Sequence, residues 1–439
     1  MKKIMVVCCV LVLLLGTVGA NGAKEAETTT DSTAFDSNEK EELRFSWWGG
    51  DSRHKATLEA IDAFMKKYPN ITVKAEYGAW DGWTEKCAIQ LSGGTAPDVM
   101  QINWNWMYQF SADGSKFADL RNYADILHLE NYDQATLDQG MVAGKMQSLP
   151  VGMTGKVFWW NKTTFDKAGL SVPSSFAEIM TAGKVFKEKL GDDYYPMSLY
   201  EYERMLLMLY YLESKYGKPW AANNQVNYSA AEVKEGLDWI NSLETGHVLP
   251  SIAQMKGDGA TVVEKNPKWI TGKYAGFYEW DSAQAKMANA LGENQEFVMG
   301  QFPPDLGSYK AALTKVTQCF AITENSKHKA AAAKLIEFLT SDPEGVKICS
   351  TERGMLANKA AVKTLKDLGM LKGLTFEGNQ LVSNYGGFSL DPNFENSELK
   401  DSTGVYYEVF ERLSNGEDSG KLASYLVDSI NSVYASNPY

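Results

Sequence analysis

Residues 97–106 read Pro-Asp-Val-Met-Gln-Ile-Asn-Trp-Asn-Trp, a short apolar run that changes abruptly into paired amides and indoles. Pro97 cannot donate to a sheet ladder and so belongs at the first residue of a strand, while residues 99–102 have the length of a strand covered on both faces. In open α/β sheets the crevice for ligands lies outside the carboxyl ends of the strands. An aromatic face packs on the C–H side of a sugar ring, and amides bind its hydroxyl groups. The stretch therefore predicts a buried strand followed by a loop suited to a sugar.

The candidate binding residues of this loop are Asn103, Trp104 and Asn105. On this stretch alone an alternative stays equally open, in which the tryptophans pack in the core and the asparagines only form a turn. Repetition of the same pattern at other strand ends favours ligand binding over that alternative.

Two earlier strands are predicted to end in the same kind of loop. Residues 43–47 and 71–77 alternate between apolar and polar residues, as half-buried strands do, and helices are predicted over residues 56–68 and 84–92. Strands and helices in alternation form a parallel sheet with crossover helices. The loops after these two strands supply further candidate ligand-binding residues, namely Trp47, Trp48, Asp51, Arg53 and His54 after the first, and Trp80, Asp81 and Trp83 after the second.

These motifs resemble a known family, the family 1 extracellular solute-binding proteins of carbohydrate ABC importers. The resemblance covers essentially the whole mature chain, and its most specific part is Gly-Gly-Thr-Ala-Pro-Asp-Val at residues 93–99. The other matching segments are Trp47-Trp48-Gly49, the helix that ends in Phe64 and Pro69, residues 149–162, residues 165–170, the helix over residues 330–339 and Asp342-Pro343-Glu344-Gly345. The loops that hold Trp48 and Trp80 are similar to those of an oligosaccharide-binding branch that includes oligogalacturonide binders.

The resemblance implies an α/β fold of two lobes, the type II-like periplasmic binding protein fold. Each lobe would be a mostly parallel sheet flanked by helices, with the ligand cleft at the hinge. The implied lobes are residues 41–153 plus 278–323 for the first α/β lobe, and residues 154–277 plus 324–439 for the second, helix-rich lobe. Residues 152–155 separate two apolar runs as a hinge would, and residues 277–281 are the second expected crossing.

The crossings and the second lobe add further candidates for ligand binding. These are Thr154, Tyr202, Tyr278, Glu279, Trp280, Asp281 and Arg353. Arg353 could equally form a surface ion pair, which would contribute little. Apolar spacing predicts more helices over residues 176–190, 204–216, 230–243, 330–339, 398–414 and 421–435, with Met205, Leu206, Met208 and Leu209 as core residues.

The first residues of the chain have the pattern of a secretory signal. Lys2 and Lys3 form its positive end, an apolar run follows, and a cut after Ala20 would remove residues 1–20. Thr17 stands where a lipoprotein signal would need a cysteine, which favours a soluble periplasmic protein. The segment over residues 21–42 is poor in apolar residues, and we expect a flexible tether.

Composition excludes several classes of function. Loss of Lys2 and Lys3 with the signal takes the formal net charge from −12 to about −14, which disfavours nucleic acid as a partner. The mature cysteines, Cys87, Cys319 and Cys349, are odd in number and widely spaced, so at most one disulfide is expected, and Cys319 is interpreted as a buried apolar residue. Histidine and cysteine spacing predicts no metal, and the absence of a glycine-rich phosphate loop predicts no nucleotide cofactor.

The sequence predicts a periplasmic substrate-binding protein that captures an oligosaccharide between two lobes and delivers it to the membrane permease subunits of an ABC importer. We expect a monomer that is not an enzyme. The acidic candidates suit the hydroxyl groups of a neutral sugar, whereas Arg53, His54, Lys156 and Arg353 would suit the carboxylates of a uronate-containing ligand.

The alternative function is that of a secreted glycoside hydrolase, which needs two carboxylates across the scissile bond. The carboxylates near predicted strand ends are Asp51, Asp81, Glu203, Glu279 and Asp281. No motif sets one of them apart as a catalytic acid, and the full-length resemblance is to proteins that are not enzymes.

Overall fold

The structure, a computed structural model, describes residues 33–80 and 82–437. The predictions of a signal peptide over residues 1–20 and of a binding role for Asp81 lie outside the described residues. Within these two ranges, every helix is too short or too polar to cross a lipid bilayer.

The last part of the predicted tether belongs to the folded protein. The ring of Phe35 packs edge-on against Tyr68, with ring centroids 5.4 Å apart, and the first strand begins at Glu41. The tether prediction rested on low apolar content. One aromatic side chain is enough to order this short stretch because it finds an apolar surface that other elements have already built.

The strands follow one another in short segments along the described chain. In chain order they are β1 Glu41–Trp48, β2 Ile71–Gly78, β3 Val99–Ile102, β4 Met141–Val142, β5 Lys145–Met146, β6 Leu149–Pro150, β7 Gly152–Asn161, β8 Ala221–Ala222, β9 Gln225–Val226, β10 Gly276–Trp280, β11 Phe297–Met299, β12 Ala312–Val316, β13 Cys319–Ile322, β14 Met355–Leu356 and β15 Gly387–Ser389. The strand predicted over residues 99–102 is confirmed with the same bounds as β3.

The helices fill the segments between the strands and most of the last third of the chain. They are α1 Asp51–Lys67, α2 Trp83–Ser92, α3 Trp106–Phe110, α4 Ala124–Leu127, α5 Gln134–Asp138, α6 Lys162–Ala168, α7 Phe176–Leu190, α8 Glu201–Tyr216, α9 Ala230–Thr245, α10 Ile252–Gly257, α11 Pro267–Ile270, α12 Gln284–Ala290, α13 Lys329–Thr340, α14 Pro343–Cys349, α15 Lys359–Asp367, α16 Leu374–Tyr385, α17 Ser397–Lys400, α18 Val405–Ser414 and α19 Ser419–Ser436. Short 3₁₀ turns cover Leu120–Tyr123, Leu129–Asn131, Val263–Lys265, Asp281–Ala283 and Pro392–Glu395.

One helix prediction was wrong at its start, and another missed a break inside the helix. Helix α1 begins at Asp51 rather than at residue 56, because extended Gly50 caps it and the Asp51 carboxylate favours the positive end of the helix dipole. Arg53 and His54 therefore lie on a helix and not in a loop. The helix predicted over residues 398–414 is two helices, α17 and α18, with an extended Gly404 capping the second.

The first sheet has the strand order β2-β1-β3-β13-β6. Strand β1 pairs in parallel with both β2 and β3, so the parallel sheet predicted from the strand–helix alternation is confirmed. Strand β13, which returns from far along the chain, pairs antiparallel with β3. Because β1 and β3 run in the same direction, Trp48 and Asn103 both lie at the carboxyl edge of this sheet.

The second sheet has the order β10-β7-β12-β15, and β11 and β14 also pair with β7. Its long strand β7 is antiparallel to β10, β11, β12 and β14. The prediction of a mostly parallel sheet in each lobe is therefore wrong for this sheet. Short connections and strands that return from other parts of the chain allow antiparallel pairing, which needs no crossover helix.

The chain passes between the sheets at Val151, where β6 ends and β7 begins, at residues 317–318 between β12 and β13, and again between α14, which packs on α1, and β14, which pairs with β7. Residues 152–155, expected as a hinge, form the first part of β7. Gly152 is required there because a Cβ would lie 2.8 Å from the carbonyl oxygens of Arg353 and Met355. Residues 277–281 are not a crossing, since β10 and the strands after it up to Val316 remain in the second sheet.

Helix α13 also differs from the predicted division into lobes. Its residues Ala330–Leu339 would fall in the second lobe, yet they pack in one apolar cluster with Leu43 and Phe45 of the first sheet. Both faces of this Ala-rich helix are buried. The spacing of its apolar residues therefore does not indicate which sheet the helix packs against. The lobe boundaries stay a prediction. The sheet against which a segment packs differs from the predicted lobe at α13 and at residues 278–316.

The cores otherwise follow the apolar spacing. Met205, Leu206, Met208 and Leu209 are fully buried, as predicted. Cys319 is fully buried in β13, which confirms its interpretation as an apolar core residue. It carries a free thiol, as do Cys87 and Cys349.

Candidate functional site

A cavity of about 260 Å³ lies where the carboxyl edge of the first sheet meets the second sheet. The first sheet contributes Trp48 and Asn103, and the second contributes Thr154, Trp280 and Lys315. The segments that cross between the sheets close its remaining side with Thr317, Gln318, Thr351, Glu352, Arg353 and Gly354, together with Arg53, Trp80, Ser282 and Thr375. We call it the arginine cavity, after Arg53 and Arg353.

Three indoles form a wall along this cavity. Trp80 stacks on Trp106 with ring centroids 5.4 Å apart and packs edge-on against Trp48 at 5.2 Å. Trp48 and Trp106 are nearly buried, whereas 47% of Trp80 is exposed. A half-exposed indole that packs on two buried ones offers a rigid, solvent-exposed face to a sugar ring.

A second cavity of about 430 Å³ lies on the other side of this wall and shares Trp80 and Asn103 with the first. We call it the tryptophan cavity. Its other lining residues are Gly82, Thr84, Glu85, Asn105, Trp106, Gln109, Glu395, Ser397, Lys400 and Asp401. The two cavities are neighbours with Trp80 and Asn103 between them, and we call the pair the groove.

The two asparagines predicted after β3 are locked in place by hydrogen bonds. Asn103 donates from Nδ2 to Oδ1 of Asn105 at 2.7 Å, and Asn105 donates from Nδ2 to the carbonyl oxygen of Glu395 at 3.1 Å. Asn103 lines both cavities and Asn105 lines the tryptophan cavity. Their remaining amide groups are therefore positioned for a ligand on both sides of the indole wall.

Two guanidinium groups line the arginine cavity. Arg53 donates from Nε to the carbonyl oxygen of Glu352 at 3.0 Å, and Arg353 donates from Nε to Oε1 of Gln101 at 2.8 Å. A Cβ at Gly49 would lie 2.6 Å from Cδ of Arg53, so glycine makes room for this side chain. Within residues 33–80 and 82–437, neither arginine forms an ion pair with a carboxylate.

The pKa values of both arginines are lower than usual. Burial, and then the charge of Arg353, lower the pKa of Arg53 to about 10. Burial also lowers the pKa of Arg353. The carboxylate of Glu352 opposes the fall of both pKa values but does not reverse it, so an anionic ligand would relieve the remaining cost of burying two like charges.

Trp280 forms the floor of the arginine cavity between two lysines. Its ring centroid lies 4.7 Å from Nζ of Lys156 and 4.6 Å from Nζ of Lys315, both within cation–π range. Lys156 is fully buried and pairs with Oε1 of Glu279 at 2.9 Å. The two ammonium groups hold the indole where it lines the cavity.

The carboxylates predicted beside Trp280 support the site and do not line it. Burial would raise the pKa of Glu279, but its ion pair with Lys156 prevails and lowers it. Asp281 accepts a hydrogen bond from Oγ1 of Thr154, and burial raises its pKa to about 6. Thr154 itself lines the arginine cavity, so Asp281 orients a lining residue.

Glu395 lines the tryptophan cavity and pairs with Lys315, which lines the arginine cavity. It accepts hydrogen bonds from Nζ of Lys315 and, at 2.8 Å, from Oη of Tyr202, and its other oxygen lies 3.3 Å from Nζ of Lys400. Burial favours its neutral form, yet the two lysines outweigh burial and hold its pKa well below the usual range. Tyr202 lines neither cavity and contacts the groove through this carboxylate and through Lys400, whose Nζ lies 5.3 Å from its ring centroid.

Several predicted binding residues lie away from both cavities. Trp47 and Tyr278 are fully buried in the core, as is Trp104, and Trp83 is nearly buried at the start of α2. His54 accepts a hydrogen bond at Nδ1 from Nε1 of Trp47, at 3.1 Å. Asp51 is an exposed residue of the first turn of α1. For Trp104 the alternative of core packing describes the structure.

Sequence reasoning missed Lys315, Thr317, Gln318 and Glu352 in the arginine cavity, and Glu395 and Lys400 in the tryptophan cavity. Thr317 and Gln318 precede the apolar run of β13 and could have been found as polar residues at a strand boundary. No local signal marks Glu395, because its partner Lys315 is 80 residues away in the chain. Within the described ranges, no group of three or more His, Cys, Asp or Glu side chains is arranged to hold a metal ion.

The architecture of two sheets with a groove between them is matched by comparison with known proteins. The model of one family, described as bacterial extracellular solute-binding protein, matches residues 50–346. The chain belongs to this family. The family predicted from the sequence motifs is therefore confirmed, and membership places the solute-binding function outside the cytoplasm.

Two solved structures resemble this member of the family over nearly its whole length. A periplasmic solute binding protein from Pectobacterium atrosepticum is 36% identical, and the match covers 91% of this chain and 100% of that chain with a TM-score of 0.83. A periplasmic oligogalacturonide binding protein from Yersinia enterocolitica, in complex with saturated digalacturonic acid, is 33% identical, with coverage of 91% and 100% and a TM-score of 0.81. The two-lobed fold predicted from the sequence is shared with these proteins.

A more distant relative connects the family to transport. An uncharacterized ABC transporter extracellular-binding protein from Pyrococcus horikoshii is 26% identical over 196 residues, which are 44% of this chain and 46% of that protein. Family and relatives together identify the chain as a substrate-binding protein, in agreement with the main functional prediction over the hydrolase alternative.

Proposed function

We propose that this solute-binding protein captures a uronate-containing oligosaccharide in the groove between its sheets and delivers it to the permease subunits of an ABC importer. The observation that carries the proposal is the pair Arg53 and Arg353, which line a polar cavity without a carboxylate partner among the described residues. The Yersinia enterocolitica relative, whose structure contains digalacturonic acid, supports the same class of ligand.

A ligand carboxylate fits the open donors of the arginine pair. Nη2 of Arg53 and Nη1 of Arg353 donate to no other group within residues 33–80 and 82–437, whereas the other nitrogens of both side chains are already engaged. Each open nitrogen can donate to one oxygen of a ligand carboxylate, and a charge-assisted bond of this kind contributes about 1.5–3 kcal/mol. Binding would also neutralise the repulsion between the two arginines.

The sugar ring itself would contact the indoles. Trp280 presents one face to the arginine cavity, and Trp48 and Trp80 form its wall. Asn103 and Thr154 lie beside them with groups that donate to and accept from hydroxyls. Charge recognition by arginine and ring recognition by tryptophan thus occur in one cavity.

Capture proceeds through closure of the two lobes. The cavity takes residues from both sheets, so a bound ligand contacts both and stabilises the closed form by its differential affinity. The passages at Val151 and at residues 317–318 are the positions where the backbone would bend. We propose that the permease recognises this closed form and that the protein acts as a monomer in the periplasm.

We infer that the ligand is released uncut. Glycoside hydrolysis needs two carboxylates that flank the scissile bond. Among the described residues that line the arginine cavity, Glu352 is the one carboxylate, while Glu279 is held by Lys156 and Asp281 by Thr154. This arrangement offers no acid–base pair to a sugar in the cavity.

Calorimetric titration with digalacturonic acid and with its neutral counterpart digalactose tests the proposal. We expect the uronate to bind and Arg53→Gln to weaken it roughly tenfold to hundredfold, the loss of one charge-assisted contact. Arg44→Gln is the matched control, since Arg44 lines neither cavity and pairs with Glu76 at 2.6 Å. The ligand recovered after long incubation should elute unchanged in chromatography.

Tight binding of digalactose that Arg53→Gln leaves unaltered would remove the acidic ligand from the proposal. Shorter sugars that disappear in a Glu279→Gln variant would favour the hydrolase. Thermal unfolding of each variant separates a loss of binding from a loss of fold.

A further inference from the structure

The two cavities of the groove differ in charge. The arginine cavity is lined by Arg53, Lys315 and Arg353 and by one carboxylate, Glu352. The Glu352 carboxylate accepts a hydrogen bond from Oγ of Ser52 at 2.8 Å and forms no ion pair with a described residue. Lys315 is paired with Glu395, so Arg53 and Arg353 against Glu352 leave the lining of the arginine cavity with a net positive charge.

The tryptophan cavity has the opposite balance. Three carboxylates, Glu85, Glu395 and Asp401, line it together with one ammonium group, that of Lys400. Glu395 is neutralised by Lys315 and Lys400. Glu85 and Asp401, in contrast, have no ion-pair partner within residues 33–80 and 82–437, so two uncompensated negative charges face this part of the groove.

The remaining residues of the tryptophan cavity suit a sugar without charge. Trp80 and Trp106 provide stacked aromatic faces, and Asn105 provides a fixed amide. Carboxylates beside indoles and amides accept hydrogen bonds from sugar hydroxyls, whereas they repel a sugar that carries a carboxylate of its own. Like charges brought together in a confined groove are disfavoured most strongly at low ionic strength.

We propose that the groove is selective for a charge-asymmetric oligosaccharide, in which a uronate ring occupies the arginine cavity and an uncharged sugar occupies the tryptophan cavity. The inference rests on the proposed function and narrows its ligand class. A uniformly acidic chain such as digalacturonic acid fits the first cavity and meets Glu85 and Asp401 in the second. Trp80 and Asn103, which belong to both cavities, lie where the two rings join.

The test uses digalacturonic acid, its two monomethyl esters and its dimethyl ester, which share one carbon skeleton and differ in the position of charge. One monomethyl ester should bind about tenfold more tightly than the diacid in calorimetric titration at low salt, and this preference should shrink as salt is added. The other monomethyl ester and the dimethyl ester should bind weakly, because no carboxylate reaches the arginines.

Two substitutions test the cause of the preference. The double variant Glu85→Gln/Asp401→Asn should improve affinity for the diacid about tenfold and should not improve affinity for the preferred monomethyl ester, which meets these residues only through its hydroxyl groups. The control Glu59→Gln/Asp62→Asn removes the same charge from exposed positions of α1 that line neither cavity. It should leave both affinities unchanged.

The outcomes separate the inference from the proposed function. Tighter binding of the diacid than of either monomethyl ester overturns the charge asymmetry and leaves uronate capture in place. Equal gains for the diacid in the test and control variants also overturn it, because net charge alone would then be responsible. Failure of all four ligands to bind, or tightest binding of the dimethyl ester, overturns the proposed uronate ligand itself.

Discussion

Replacing Trp80 by alanine should weaken ligand binding while leaving the fold nearly intact. Trp80 is 47% exposed and lines both cavities of the groove. It rests on Trp106 and Trp48, which stay in place without it because they are nearly buried themselves. Its contribution is therefore made mainly to the ligand.

The magnitude follows from the area that a stacked sugar would cover. One ring face covers roughly 100 Å² of the indole, and apolar burial contributes about 25 cal/mol per Å². Aromatic geometry adds about 0.5–1.5 kcal/mol, and immobilisation of the ligand offsets part of the sum. We expect a loss of about 1.5–3 kcal/mol, which is roughly a tenfold to hundredfold rise in Kd.

Two other aromatic residues provide the controls. Trp104→Ala removes a fully buried side chain that lines neither cavity, so it should lower the free energy of unfolding by about 3–5 kcal/mol. Tyr309→Ala removes an aromatic ring that is 52% exposed and lies outside both cavities. It should change neither binding nor stability appreciably.

The assay pairs calorimetric titration of digalacturonic acid with urea unfolding of each variant. If Trp80→Ala kept the parent Kd, the indole wall would not be a sugar platform. If Trp104→Ala kept its stability and lost affinity, the assignment of Trp104 to the core and of Trp80 to the groove would have to be exchanged.

Two further predictions concern the interior. Glu395→Gln leaves buried Lys315 without its carboxylate and should lower the free energy of unfolding by about 3–5 kcal/mol near pH 7, relative to a Glu59→Gln control. The pKa of Glu395 is held low in spite of its burial, so the stabilisation from this carboxylate is present above about pH 4.3 and is lost as the pH falls further. In urea unfolding, the difference in free energy of unfolding between the parent and Glu395→Gln should therefore narrow below that pH. A difference that does not change with pH would contradict the ion pair. Burial raises the pKa of the Cys87 and Cys319 thiols to about 12 and that of Cys349 to about 11, so none should react with a thiol reagent at pH 8 until the protein is denatured. Three thiols should then titrate in the protein that lacks residues 1–20, where Cys8 and Cys9 lie, and fewer would reveal a disulfide.

Much of the first sheet could be predicted from local sequence. The bounds of β3 follow from Pro97 and the apolar run that ends at Ile102, and the alternation of strands and helices specified parallel pairing of β1 with β2 and β3. Helix α7 was predicted from apolar spacing with its observed bounds, Phe176–Leu190, and in the structure Ser175 caps it. These features depend on residues that are neighbours in the chain, where periodicity and capping are visible.

Which aromatic residues face the groove was decided by tertiary structure. Trp47 and Trp48 are adjacent in β1 and point to opposite faces of the sheet, so one is core and the other lines the cavity. Both are indoles, and the sequence pattern therefore could not distinguish the two faces. Trp104 is a comparable case, because only the packing of the surrounding elements buries it.

The charge of the groove depended even more on the fold. Arg53 and Arg353 are 300 residues apart in number and meet because the chain returns from α14 to the edge of β7. Lys315 and Glu395 are joined in the same way by β12 and the turn at Pro392–Glu395. The sequence determined the elements, the family and the presence of aromatic strand ends. Only tertiary structure placed in one cavity two arginines, and in the next two carboxylates, that have no ion-pair partner among the described residues, because ion pairing depends on distances in space that no local periodicity encodes.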